Sequence, residues 1–215
     1  MPFRFILALG LGLPLGQAAV ANHLLRVDAG QHDRSGTPVS FTLPDGGQAH
    51  WQLTGPSGRA VAIQTDGLGS ASFIVGKLAA FQTAVYKLSP AAKPTHSNVV
   101  SLVKQNGKLR ITIDDKTVLH YQAEKSGLPR DDLEPIYRRG GYIHPVLTPS
   151  GTVITADYPH NHKHHHGIWF PWTNTIFEGR KPDFWNMGKG TGTIEFTGLH
   201  SQWSGSVHAG FSSSH

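Results

Sequence analysis

The chain has 215 residues, of which 38% are hydrophobic and only 15% charged; this excludes a disordered segment or a coiled coil and leaves room for one large or two small domains. The formal charge of +5 is spread along the chain, with Arg138 and Arg139 the one Arg-Arg pair. Nucleic-acid binders gather basic charge into a stripe with stacking aromatics, so nucleic acid is not an expected partner. There is no cysteine, which excludes thiolate metal sites, iron–sulfur clusters and a cysteine nucleophile.

The N-terminus reads as a targeting segment. Arg4 supplies a short basic region, "FILALGLGLPLG" is an apolar stretch too short to span a bilayer, and Ala19 and Ala21 place small residues at a cleavage site. A signal peptide over residues 1–21 is therefore expected, and with it a secreted or periplasmic protein that does not insert in the membrane after cleavage. Loss of Arg4 brings the charge to +4.

The 25 glycines and 14 prolines punctuate the remainder into short strands joined by turns, and an all-β fold is expected. In chain order "LLRV", "VSFTL", "HWQLTG", "AVAIQTD", "SASFIV" and "TAVYKLS" repeat at about ten-residue spacing, the rhythm of a small β-sandwich over residues 22–93. "SPAAKPTHSN" (89–98) carries two prolines and no periodicity, and reads as an interdomain linker.

A second β-domain, residues 94–215, opens with "VVSLVKQ" and "LRITIDD" joined by Asn106-Gly107, a favoured hairpin turn. Leu109, Ile111 and Ile113 alternate with Arg110, Thr112 and Asp114, which predicts one buried and one wet face. "TVLHYQ" continues the meander. Residues 123–139 are polar, contain Pro129 and Pro135, and should form a long loop in which Asp131, Asp132 and Glu134 make a solvated turn. "YIHPVLT" and "TVITADY" are expected to pair around "PSG". "TIEFTGLHSQW" reads as a further strand, still running as the chain ends, so a partial sandwich and a C-terminal truncation are expected. Open edges of such a fragment would favour association and little activity.

Between these elements lies "DYPHNHKHHHGIWFPW" (157–172), with five histidines in seven positions. In an extended strand His160, His162, His164 and His166 would share one side and His165 would face the other. Three readings stay open. Imidazoles two apart can hold zinc, copper or iron, with Asp157 or Asp183 as a carboxylate ligand. They can move protons on a sugar, with Trp169, Trp172 and Trp185 as stacking platforms. They can also be a solvated loop. "GKGTGT" (188–193) fails the phosphate-loop pattern, because Gly190 follows Lys189, and there is no Gly-x-Ser-x-Gly elbow.

The run from Gly140 to Trp172, with "DFW" at 183–185, resembles the PmoA-like family of exported bacterial proteins. Tyr142, His144, Pro145 and Thr148 to Gly151 match its first strand motif. Asp157, Pro159, His162, His164, His165, Gly167 and Trp169 match the second, and Asp183, Phe184 and Trp185 the third. The family carries arginine where this chain has His166, and His160 stands at a position that is usually not histidine. The resemblance covers about residues 98–205 and implies a sandwich of the galactose-mutarotase type. It further implies a carbohydrate or glycoside ligand, with His144, His162, His164 and His165 as acid–base groups and Tyr142, Trp169, Asp183 and Trp185 as substrate contacts. A non-catalytic carbohydrate-binding module, or a metal enzyme with zinc, copper or iron on His162, His164 and His165, are the alternatives.

Overall fold

The structure is a computed structural model that describes residues 22–47, 49–93 and 99–215. The expected signal peptide and part of the expected linker lie outside the described residues. The fold is all-β, of sandwich type, with antiparallel sheets. Among the described residues the only helical pieces are two single 3-10 turns, Pro135–Tyr137 and Met187–Lys189, and no helix is long and apolar enough to cross a membrane. The chain divides into two compact units: one reaches residue 98 and includes 205–207, and the other comprises 99–204 and 208–215.

In the first unit the strands are β1 (His23–Asp28), β2 (Arg34–Thr42), β3 (His50–Thr54), β4 (Ala60–Val61), β5 (Ile63–Thr65), β6 (Ser70–Leu78) and β7 (Thr83–Ala91). They form two sheets, β1-β7-β3-β4 and β2-β6-β5. A two-residue period supplies the core. Ala71, Phe73 and Val75 of β6 and Ala84, Tyr86 and Leu88 of β7 are buried together with Trp51 and Leu53, and the Phe73 and Tyr86 rings lie 4.7 Å apart. The linker reading of 89–98 is corrected at its start. Ser89, Pro90 and Ala91 continue β7 and pair with Gln52, Trp51 and His50.

The second unit is built on an antiparallel sheet, β11-β10-β9-β8, of β8 (Val100–Gln105), β9 (Lys108–Ile113), β10 (Lys116–Gln122) and β11 (Tyr142–Val146). Asn106 and Gly107 both take positive φ, as a type I′ hairpin requires, and Asp114 and Asp115 do the same at the next turn. The alternation expected of β9 breaks down at its end: Thr112 is buried and Ile113 is 44% exposed. The register of β10 slips between Thr117 and Leu119, opposite this point, and such a bulge re-aims side chains. A hairpin of β12 (Gly198–Trp203) and β13 (Gly210–Ser214) contributes Leu199 and Phe211 to the core, with Phe211 against Tyr121 at 4.6 Å. "TIEF" forms no strand; the element begins only at Gly198.

Residues 147–197 are mostly irregular. "TVITADY" makes isolated bridges, Leu147 with Val153 and Asp157 with His166, and no continuous strand. A further bridge places the histidine segment against β11. Ile143 and Ile168 exchange both backbone hydrogen bonds, at 2.8 and 2.9 Å. Thus β11 has β10 on one side and the chain leaving the histidines on the other.

Candidate functional site

The histidines do not form an extended strand, so the predicted alternation of faces is overturned. Pro159 starts a turn instead: His162 N–H donates to the Pro159 carbonyl at 3.0 Å and His165 N–H to the His162 carbonyl at 2.9 Å. Tyr158, with φ of 47°, closes the loop by donating its N–H to the His165 carbonyl at 3.0 Å. From the long loop, Arg130 reaches the Tyr158 carbonyl, and Lys163 donates to the Asp132 carbonyl at 2.8 Å.

Folded this way, the segment has an outer and an inner layer. On the outside, His162 stacks on His165 at 4.6 Å, and His164 meets His165 edge-on at 4.6 Å. His165 also lies 6.0 Å from Trp169 and 5.8 Å from Trp185, and the two indoles are 5.9 Å apart. The Trp185 indole N–H donates to His165 Nε2 at 3.3 Å, which puts the proton of the neutral ring on Nδ1. Burial holds the His164 imidazole below its ordinary value, aided by repulsion from His165 and His162, and burial does the same for His165.

Asp183 shapes this layer from below. Its carboxylate accepts the backbone N–H of Trp185 at 3.1 Å and of Asn186 at 2.9 Å, and Lys189 Nζ at 2.8 Å. These bonds, led by the Asn186 amide, hold it well below the usual carboxylate range. Asp183 therefore orients Trp185, and Lys189 of the discarded phosphate-loop motif is committed to Asp183.

The inner layer brings Tyr142, Asp157 and His166 together with two residues to which the sequence assigned no role, Tyr158 and Arg139. His166, 2% exposed, hydrogen-bonds Asp157 through Nδ1 at 2.8 Å, and the same carboxylate accepts the Tyr142 hydroxyl at 2.9 Å. Tyr142 and Tyr158 flank the imidazole, each at 4.6 Å. Arg139, 1% exposed, lies with its guanidinium 4.5 Å over Trp169, and burial lowers its pKa to about 10, so it stays charged near neutrality. All three guanidinium nitrogens and His166 Nε2 are without a hydrogen-bond partner among the described residues. Trp169 joins the layers: His165 and Trp185 of the outer layer lie 6.0 and 5.9 Å from its ring, and His166 and the Arg139 guanidinium of the inner layer 5.3 and 4.5 Å.

Of the eight residues expected at the site, Tyr142 belongs to the inner layer, and His162, His164, His165, Trp169 and Trp185 cluster on the outer one. His144 sits on β11, bonded through Nδ1 to Thr155 Oγ1 at 2.9 Å. Among the described residues no three His, Asp or Glu side chains are arranged around a point that could hold a metal ion. Two open clefts, of about 740 and 380 Å³, lie near Met187 and Asp183, and neither has a histidine in its wall.

Burial drives His166 below its ordinary value although the Asp157 carboxylate pulls the other way. An imidazole depressed in the folded state binds its proton more readily when unfolded. Its stabilising contribution is complete above the unfolded value of about 6.5 and is lost as pH falls from there towards the folded pKa. His164 and His165 have the same sign. The melting temperature should accordingly fall between about pH 7.5 and 5, and His166→Gln should flatten part of that slope. A melting temperature that rises on acidification would contradict the burial assigned to His166.

The chain is thus an all-β protein with a two-layered histidine, tyrosine and tryptophan cluster on the irregular edge of a meander. Residues 108–215, half of the chain, match the model of a family of unknown function, DUF6807, and the protein belongs to that family. No curated protein and no solved structure matches the chain.

Proposed function

We propose that the protein is an exported, PmoA-like, carbohydrate-active protein in which imidazoles of the 160–166 segment perform acid–base chemistry on a sugar stacked on Trp169 and Trp185. The observation that carries this reading is the placement of His165 beside both indoles, with its tautomer set by Trp185. An aromatic face beside polar tips suits a pyranose, which has apolar ring faces and a hydroxyl rim. With Nε2 held by the Trp185 indole, the His165 Nδ1–H is a hydrogen-bond donor that orients a sugar oxygen without giving up its proton. His164, kept neutral by burial and its neighbours, is the complementary base.

A panel of oligosaccharides tests this by separating affinity from turnover. Trp185→Ala should weaken binding by about tenfold, the scale of a lost aromatic contact. His164→Ala and His165→Ala should lower turnover by about 10²–10⁴ with affinity nearly kept. If affinity resides in the tryptophans and the histidine variants behave as the parent, the protein is a carbohydrate-binding module. Binding of no oligosaccharide at all would end the carbohydrate reading.

A further inference from the structure

We propose that Arg139 and His166 form a recognition site for the carboxylate of an acidic sugar, a uronate, behind the Trp169 platform. This rests on the carbohydrate reading above and narrows its substrate class. Arg139 is a buried cation whose every side-chain nitrogen lacks a hydrogen-bond partner among the described residues. A buried charge of this kind is stable only when paired, so a counter-anion completes the site. Asp157 does not serve, since it bonds Tyr142 and His166 and makes no ion pair with Arg139.

The geometry selects the anion. The guanidinium carbon lies 4.5 Å from the centre of the Trp169 ring, and its N–H groups, all in the guanidinium plane, are still to be used. An in-plane fork of donors matches a planar group with two oxygens, and a carboxylate is that group. His166 Nε2 is the second unpartnered buried atom, and it becomes a further donor once protonated, with Asp157 fixing Nδ1 and balancing the charge. Trp169 is both part of the stacking platform and the ring against Arg139, which puts the guanidinium next to a pyranose bound there. Both groups are sealed from solvent by their neighbours, so Trp169, which is half-buried, must yield as the acid group enters.

The test is calorimetric titration of the full chain with a galacturonate oligosaccharide and with its carboxyl-reduced counterpart, alongside acetate and inorganic sulfate. The uronide should bind at least about tenfold more tightly than the reduced sugar, the scale of charge-assisted hydrogen bonds. Arg139→Lys should lose most of that preference and Arg139→Met all of it. Without ligand, Arg139→Met should melt no lower than the parent, since it removes an unpaired buried charge. Equal affinity for the two sugars would overturn the carboxylate site while leaving the carbohydrate reading intact. Binding of neither would remove both. Acetate as tight as the uronide, sulfate binding in place of either, or an Arg139→Met protein that keeps the preference would each overturn the proposal.

Discussion

Replacing Asp157 by alanine should cost about 2–6 kcal/mol of folding stability, about 1–3 kcal/mol for each of two buried hydrogen-bond donors left without an acceptor. The carboxylate accepts two hydrogen bonds at once, from Tyr142 Oη at 2.9 Å and from His166 Nδ1 at 2.8 Å. The His166 side chain has no exposure and that of Asp157 has 16%. Alanine leaves both donors without an acceptor and without access to water, and a stranded buried donor loses its full desolvation penalty. The Tyr142 phenol is already pushed well above its ordinary value, by burial first, so it cannot respond by ionising. Asp157→Asn should cost less, because one amide oxygen still accepts, although its NH₂ then faces one of the two donors. Urea denaturation with an unchanged m-value measures both. A loss below about 1 kcal/mol for the alanine variant would show that Asp157 does not hold this centre together.

What could be read without coordinates follows from where periodicity governs. The six strands expected in the first unit and the hairpin at Asn106-Gly107 were legible because alternation and turn chemistry agree there, although "AVAIQTD" is broken into β4 and β5, which join different sheets. Ile113 was misplaced because a bulge in the neighbouring strand, set by three-dimensional register, overrides local alternation. The outer histidines and the tryptophans were recognisable as a group by their density. Their arrangement was not, since Pro159 and two turn hydrogen bonds replaced the strand assumed for them. His166 was set aside because it departs from the PmoA-like pattern, yet that pattern has arginine there, a hint of a basic group at the position. Arg139 carried no signal except its place before Gly140-Gly141. An alanine Cβ at Gly140 would fall 2.3 Å from the Ala123 carbonyl oxygen, so the backbone beside Arg139 passes another strand end too closely for any side chain. Such a close crossing cannot be inferred from one sequence.

The same kind of crossing makes Gly167 the most sensitive position in the segment, and Gly167→Ala should cost about 3 kcal/mol or more. A Cβ there would lie 2.1 Å from the Ile143 carbonyl oxygen and 3.1 Å from His144 Cβ. That oxygen cannot retreat freely, because it accepts the Ile168 N–H at 2.9 Å while the Ile143 N–H donates to Ile168 at 2.8 Å. Relief requires the two segments to part, giving up two backbone hydrogen bonds at about 1 kcal/mol each on top of about 1–3 kcal/mol for overpacking. Gly151 is the control. It has φ of +87° and no atom within 4 Å of a built Cβ, so alanine meets only the left-handed backbone cost of about 1–2 kcal/mol. The bridge at Ile143 and Ile168 sets where His166 and Trp169 stand on either side of it. Gly167→Ala should therefore weaken the near-ultraviolet circular dichroism of the tryptophans, and Gly151→Ala should leave it unchanged. Equal losses in the two variants, with an unaltered tryptophan signal, would mean that the histidine segment does not close against β11 as described.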